Sequence, residues 1–517
     1  MVRTIKFHLV NFEPKEVTQM SFYSEMEKIL KKNKTLTENG GVGYETSGNA
    51  LVDMNYKVAS YRGATEQQIL SDFLKAFAET PELAVKWMFY AGDVRQGLGE
   101  RRLFKILVKN VIPKFPHLIK WIPEYSRWDI VVELLGTPVE DQAVELIRTT
   151  LAADKAAFND GKPITLLAKW LPSVNTSSKE TVRKANILCS KLGMKPAEYR
   201  KTLSALRKYS NVIEVKLCKN EWNDVNYEAV PSKANLKYKD AFLKHDEARR
   251  REFLGKLTAG EVKINSGAAF PHDIVHKYGR HGQLDAALEG MWKNLPAIEM
   301  TKPMIVVRDG SGSMECTLGS RGSCSALEVA TALAIYCSEH AARGFEDQFI
   351  TFSGRPKYVK LSKNMTLRDK LTRAYQEDDC SNTDIQKTME LILDTAKSAN
   401  LKQEEIPDVL IISDMEFDSA TSCYNYSWSR SDSAHAIETV FETIRREFKA
   451  AGYELPGLIF WNVNSRTGAV PLQTNKYGLK LLSGFSQNVV KMAMSNKLDP
   501  FEALKETLLS PRYEVIK

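Results

Sequence analysis

Met304-Ile305-Val306-Val307-Arg308-Asp309-Gly310-Ser311-Gly312-Ser313 decides how this chain is read. Four apolar residues, rich in β-branched side chains, predict a strand buried on both faces. The strand runs into a turn of small residues that carries Asp309, Ser311 and Ser313 on alternate positions. In a loop bending over the strand's carboxyl end, one carboxylate and two hydroxyls can face a single hard cation. That donor set suits Mg²⁺, which takes oxygen ligands octahedrally; Mn²⁺ or Ca²⁺ would fit the same chemistry. The glycines allow a tight turn and a close backbone approach.

A second strand of the same grammar, Asp408-Val409-Leu410-Ile411-Ile412-Ser413-Asp414, also ends in an acid, and Ser381-Asn382-Thr383-Asp384 opens a helical stretch. Around these two segments residues 301–517 alternate strand and helix. Strands are expected at Gln348–Phe352, Tyr358–Leu361, Leu458–Val463 and Lys480–Leu482. Helices are expected at Ala326–Ala342, Leu367–Tyr375, Asp384–Ala396, Ala434–Ala450 and Gln487–Met494. The pattern predicts a doubly wound α/β sheet, in which ligands sit outside the carboxyl ends of the strands.

The motif Asp-x-Ser-x-Ser, followed in order by Thr383 and Asp414, resembles the metal-ion-dependent adhesion site of von Willebrand factor A domains. The resemblance implies Asp309, Ser311, Ser313, Thr383 and Asp414 as metal ligands. It also implies an open coordination position that a partner fills with an acidic side chain.

The first half reads differently. From about Thr65 to Met300 helical periodicity recurs with short connectors, as in Glu66–Glu79, Lys179–Leu192, Pro196–Tyr209, Tyr238–Leu257 and Gln283–Asn294. Helices in series predict an irregular HEAT-like array. Residues 1–60 are poorly defined. They hold a helical segment near Ser21–Lys32 and a polar Gly-rich piece. Gly40-Gly41-Val42-Gly43 lacks the Gly-Lys-Ser/Thr of a phosphate loop and reads as a mobile surface loop. The expected division is therefore a helical-repeat domain over 1–300 and an A domain over 301–517.

The 517 residues carry a formal charge of +8. Residues 301–517 hold 26 basic and 28 acidic side chains, so the excess lies before them. Lys162–Lys219 alone holds 13 basic against 3 acidic residues. Such concentration points to a polyanion. In the helix Pro196–Tyr209, Arg200, Lys201, Arg207 and Lys208 form a basic stripe beside an apolar face. Lys169 and the loop residues Arg95, Arg101 and Arg102 complete the expected nucleic-acid surface. Trp170, Tyr199, Tyr209, Trp222 and Tyr227 are candidates to stack exposed bases.

No apolar run is long enough to span a bilayer. Seven scattered cysteines without Cys-x-x-Cys predict a reduced, cytoplasmic protein, with Cys316 and Cys324 more readily free thiols than a pair. His272, His276 and His281 lack partners at zinc-ligand spacing. The Asp309 loop also lacks the second Asp of a Mg²⁺ phosphatase, and no general base stands out, so no enzyme is expected.

A helical half joined to an A domain is similar to the Ro 60 kDa autoantigen family of TROVE-type proteins. It is closer still to a related group, long known only as a domain of unknown function. The strings carrying that likeness are Asp93-Val94-Arg95-Gln96-Gly97-Leu98-Gly99-Glu100-Arg101, Ala168-Lys169-Trp170-Leu171-Pro172-Ser173 and Ser413-Asp414-Met415-Glu416-Phe417. The resemblance implies a non-enzymatic protein that binds small structured or misfolded RNA and docks a protein partner through Mg²⁺. The alternative is a protein–protein adaptor that uses the metal site without nucleic acid.

Overall fold

The computed structural model describes residues 33–319, 323–342, 344–352, 354–378, 383–418 and 439–517. The expected helix at Ser21–Lys32, the residues Ser381 and Asn382, and residues 434–438 of the expected helix at Ala434–Ala450 lie outside these.

An all-helical region precedes a six-stranded sheet flanked by helices. The sheet comprises β3 (Met304–Asp309), β4 (Gln348–Phe352), β5 (Lys357–Lys360), β6 (Asp408–Ser413), β7 (Leu458–Asn462) and β8 (Leu479–Ser483). A short hairpin, β1 (Lys34–Leu36) and β2 (Val42–Tyr44), comes earlier in the chain. The sheet order is β5-β4-β3-β6-β7-β8, with β5 antiparallel to β4 and the other pairs parallel. The apolar strands β3 and β6 lie side by side at the centre, as expected of strands covered on both faces. Their shared register, with Arg308 opposite Ile412, brings the loops after both strands to one rim.

In the helical region several expected bounds recur unchanged, among them Glu66–Glu79, Lys179–Leu192 and Pro196–Tyr209. The expected helix Tyr238–Leu257 differs. It is two helices, Ser232–His245 and Glu247–Ala259, broken at Asp246. Asp246 leaves helical geometry and turns its carboxylate inward, accepting from Tyr227 Oη at 2.8 Å and Arg249 Nη1 at 2.9 Å.

The Gly-rich piece read as a mobile loop is instead docked against the α/β sheet. Tyr44 pairs with Val470 and Gly40 with Asp418 by backbone bridges. A Cβ at Gly41 would come within 2.4 Å of the Phe417 carbonyl oxygen, so only glycine lets the hairpin approach this closely. The helix Ala50–Tyr56 continues onto the sheet: Asn462 Nδ2 donates to the Tyr56 carbonyl at 2.8 Å, and the Ala59 amide to Ser483 Oγ at 2.9 Å. One apolar core runs unbroken from the helices into the sheet. Cys316 and Cys324 are both free thiols. Among the described residues no helix is long and apolar enough to cross a membrane.

Candidate metal centre and basic surface

Asp309 ends β3 and is fully buried. Its Oδ1 accepts from the Ser311 amide at 2.9 Å, a local turn that the small residues permit. Its Oδ2 accepts from Ser413 Oγ at 2.6 Å, a bond made possible by the β3–β6 pairing. The next residue, Asp414, is equally buried. Met415 then adopts φ 63°, a left-handed conformation rare for a long side chain. That bend lets the Glu416 amide return to Asp414 Oδ1 at 3.3 Å.

Burial first, and then the charge of Asp414, hold the Asp309 carboxyl well above the usual carboxylate range. Burial raises Asp414 too, opposed by the Arg466 guanidinium and the Ser313 hydroxyl. Two neighbouring carboxylates in low dielectric repel one another, and a cation between them removes that cost.

Ser311 and Ser313 lie in the loop after β3, and Asn39 links Thr383 to the segment after β6. Ser311 Oγ and Ser313 Oγ are 3.0 Å apart. Thr383 is buried; its amide donates to Asp418 Oδ2 at 3.0 Å, and its Oγ1 accepts from Asn39 Nδ2 at 2.8 Å. Asp414 Oδ2 is buried and, among the described residues, accepts no hydrogen bond; its ion-pair neighbour is Arg466 Nη1 at 3.3 Å. A buried carboxylate oxygen without a donor fits a hard cation. Among the described residues no three His, Cys, Asp or Glu side chains gather as a metal cluster, so an ion here would draw on hydroxyls beside the two carboxylates.

Several residues of this rim were not singled out from the sequence. Glu416 is buried and accepts from the amides of Glu38 (2.7 Å), Arg466 (2.6 Å) and Thr467 (3.0 Å). It thereby ties the β1–β2 turn and the loop after β7 to the strand end carrying Asp414. Arg308 is buried in β3 and pairs with Asp378. A Cβ at Gly310 would lie 2.6 Å from Asp378 Oδ1, which explains the first glycine of the motif.

The basic residues divide into two sets. Arg207 is half-buried, and its guanidinium donates to the Ala168 carbonyl (2.7 Å), Ser173 Oγ (2.9 Å) and the Leu171 carbonyl (2.8 Å). It is a staple for the Ala168–Ser173 string and also lines the cavity that Arg200 and Lys201 border. Arg102 similarly donates to the carbonyls of Tyr61 (2.6 Å) and Ala64 (2.7 Å). Arg95 is exposed and pairs with Glu124 at 3.6 Å. Arg101 is exposed and lies near Arg127. Lys169 lies over the Trp170 ring at 5.4 Å. Arg200, Lys201 and Lys208 remain exposed. The first two border a cavity of about 370 Å³ shared with Ser173, Asn175 and Ser204.

The expected stacking platform is not assembled. Tyr199 and Tyr227 are core residues; Trp170 lies beneath Arg127 at 3.8 Å, and Trp222 stacks on His245 at 4.4 Å. Of the five aromatics, only Tyr209 is exposed.

Two family models match this chain, both described only as domains of unknown function: DUF7788 over residues 303–509 and DUF2828 over residues 192–295. The first coincides with the α/β sheet module, the second with part of the helical array. The chain is also similar to the uncharacterized protein L728 of Acanthamoeba polyphaga mimivirus. The two are 27% identical over 525 residues, spanning 92% of this chain and 87% of the viral protein.

Proposed function

We propose that this chain is a non-enzymatic, Ro60-like RNA-binding protein whose α/β module docks an acidic partner through a divalent cation. One observation carries the reading: Asp309 and Asp414 lie buried at one sheet rim, with Asp414 Oδ2 lacking a hydrogen-bond donor among the described residues. Asp309 and Asp414 would hold the ion, with Ser311, Ser313 and Thr383 completing its oxygen shell. Mg²⁺, when bound, offers a coordination position to a carboxylate oxygen.

The RNA half of the proposal draws on the exposed Arg200, Lys201 and Lys208 and on the charge excess of their segment. They would grip phosphates rather than read bases. A gel shift with small structured RNAs over a salt series tests this. Binding should fall steeply with salt, and the triple variant Arg200→Ala/Lys201→Ala/Lys208→Ala should flatten that slope. A complex indifferent to both would remove RNA from the proposal.

The engaged state of Arg207, Arg102 and the core aromatics favours a second reading, an adaptor without nucleic acid. No shift at low salt, together with metal-dependent capture of an acidic peptide that Asp309→Ala abolishes, would establish it.

A further inference from the structure

The turn between β1 and β2 is fixed to the rim that carries the two carboxylates. Thr37 Oγ1 donates to the Phe417 carbonyl at 2.7 Å, and the Glu38 amide to Glu416 Oε2 at 2.7 Å. Asn39 Nδ2 donates to Thr383 Oγ1 at 2.8 Å and to the Glu416 carbonyl at 2.5 Å. The bonds of this turn therefore fall on the two loops that bear Thr383 and Asp414. Between Thr37 and Asn39 the carboxylate of Glu38 pairs with Arg466, whose other nitrogen faces Asp414. Glu38 and Asp414 thus share one guanidinium, which balances only one of their two charges. Asp414 is wholly buried, whereas the Glu38 side chain is 55% exposed.

From this juxtaposition we propose that Glu38 is an acidic ligand supplied in cis to the cation site. The inference rests on the cation reading above. Six-coordinate Mg²⁺ held by the five rim side chains keeps at least one position for a further oxygen, and a carboxylate is the favoured donor. An ion at Asp414 would take over the charge that Arg466 supplies there and repel the guanidinium, leaving Glu38 free to turn its carboxylate to the ion. An acidic partner would then compete with Glu38, and the anchored turn sets the threshold for docking.

Mn²⁺ serves as the probe, read by titration and by water-proton relaxation, which counts the waters on the bound ion. Glu38→Gln preserves size and removes the charge. It should weaken Mn²⁺ binding about ten-fold and add one water to the ion. Asp414→Asn should abolish binding while melting as a folded protein. If Asp414→Asn binds Mn²⁺ like wild type, the cation reading fails and this inference with it. If Asp414→Asn loses the ion but Glu38→Gln keeps both affinity and water count, only the inference is overturned. Weaker binding with an unchanged water count also overturns it, since Glu38 then acts through Arg466 alone. Repeating Glu38→Gln in an Arg466→Gln background checks this: the ten-fold loss should persist.

Discussion

Arg512 Nε donates to Asp93 Oδ2 at 2.9 Å across 419 residues of chain. Asp93 is fully buried at the end of the helix Pro81–Gly92, and its carboxylate also accepts from Tyr513 Oη at 3.1 Å and from the Arg95 amide at 2.9 Å. Tyr513 in turn stacks on Tyr125 with ring centres 5.6 Å apart. The segment after the sheet is thereby clasped to the helical array. The Asp93–Arg101 string belongs to this clasp, and that role accounts for its acid without invoking RNA.

Asp93→Ala should therefore destabilise the whole chain. It leaves the buried Tyr513 hydroxyl without an acceptor and Arg512 with Glu124 alone, a loss of about 2–4 kcal/mol. Urea unfolding measures it. An unchanged midpoint would mean that the clasp contributes nothing to the fold.

Arg207 and Arg200, both on the helix Pro196–Tyr209, should respond in opposite ways. Arg207→Ala removes three donors from the Ala168–Ser173 turn and should cost about 2–3 kcal/mol. Arg207→Lys should recover little, because one ammonium cannot satisfy three acceptors at fork spacing. Arg200→Ala, on an exposed side chain, should change stability by less than about 0.5 kcal/mol. Thermal melting of the three variants separates the staple from the surface charge.

Divalent ions should stabilise the wild type. Mg²⁺ at about one hundred times its dissociation constant adds about 2.7 kcal/mol to the folded state. Asp309→Asn should lose that increment. In chelator it should melt no lower than wild type, because the variant relieves the repulsion with Asp414. A Mg²⁺-dependent rise in melting temperature that survives in Asp309→Asn would place the ion elsewhere.

His272 sets an acid limit. It is buried between Phe270 and Phe485, with ring centres 5.6 Å and 5.4 Å away, and burial lowers its pKa to about 4. Asp273 favours the charged ring, while Arg62 and Lys233 oppose it. The folded pKa lies below the unfolded one, so the native state binds fewer protons in between. Stability attributable to His272 is complete above about pH 6.5 and is lost as pH falls toward 4, by about 3 kcal/mol. His272→Gln should flatten this part of the stability–pH curve relative to wild type. Parallel curves would show that the imidazole does not titrate on unfolding.

The sequence by itself determined what local chemistry governs. β-Branched runs ending in an acid and small residues gave β3 and β6 and put Asp309 and Asp414 at strand ends, because burial and turn formation are settled within a few residues. The bounds of the helix Pro196–Tyr209 and its apolar face were legible for the same reason, although Tyr199, offered for base stacking, lies in the core with Leu203 and Leu206. Only the tertiary structure decided which charges are spoken for. A guanidinium facing solvent and one wrapped in carbonyls look alike in a sequence, so Arg207 and Arg200 could not be told apart. Nor could the Gly40–Gly43 stretch reveal that it roofs the rim, since Thr37 finds its partner Phe417 across 380 residues. Periodicity carries no information about contacts at that separation, which depend on how the hairpin and the sheet pack together.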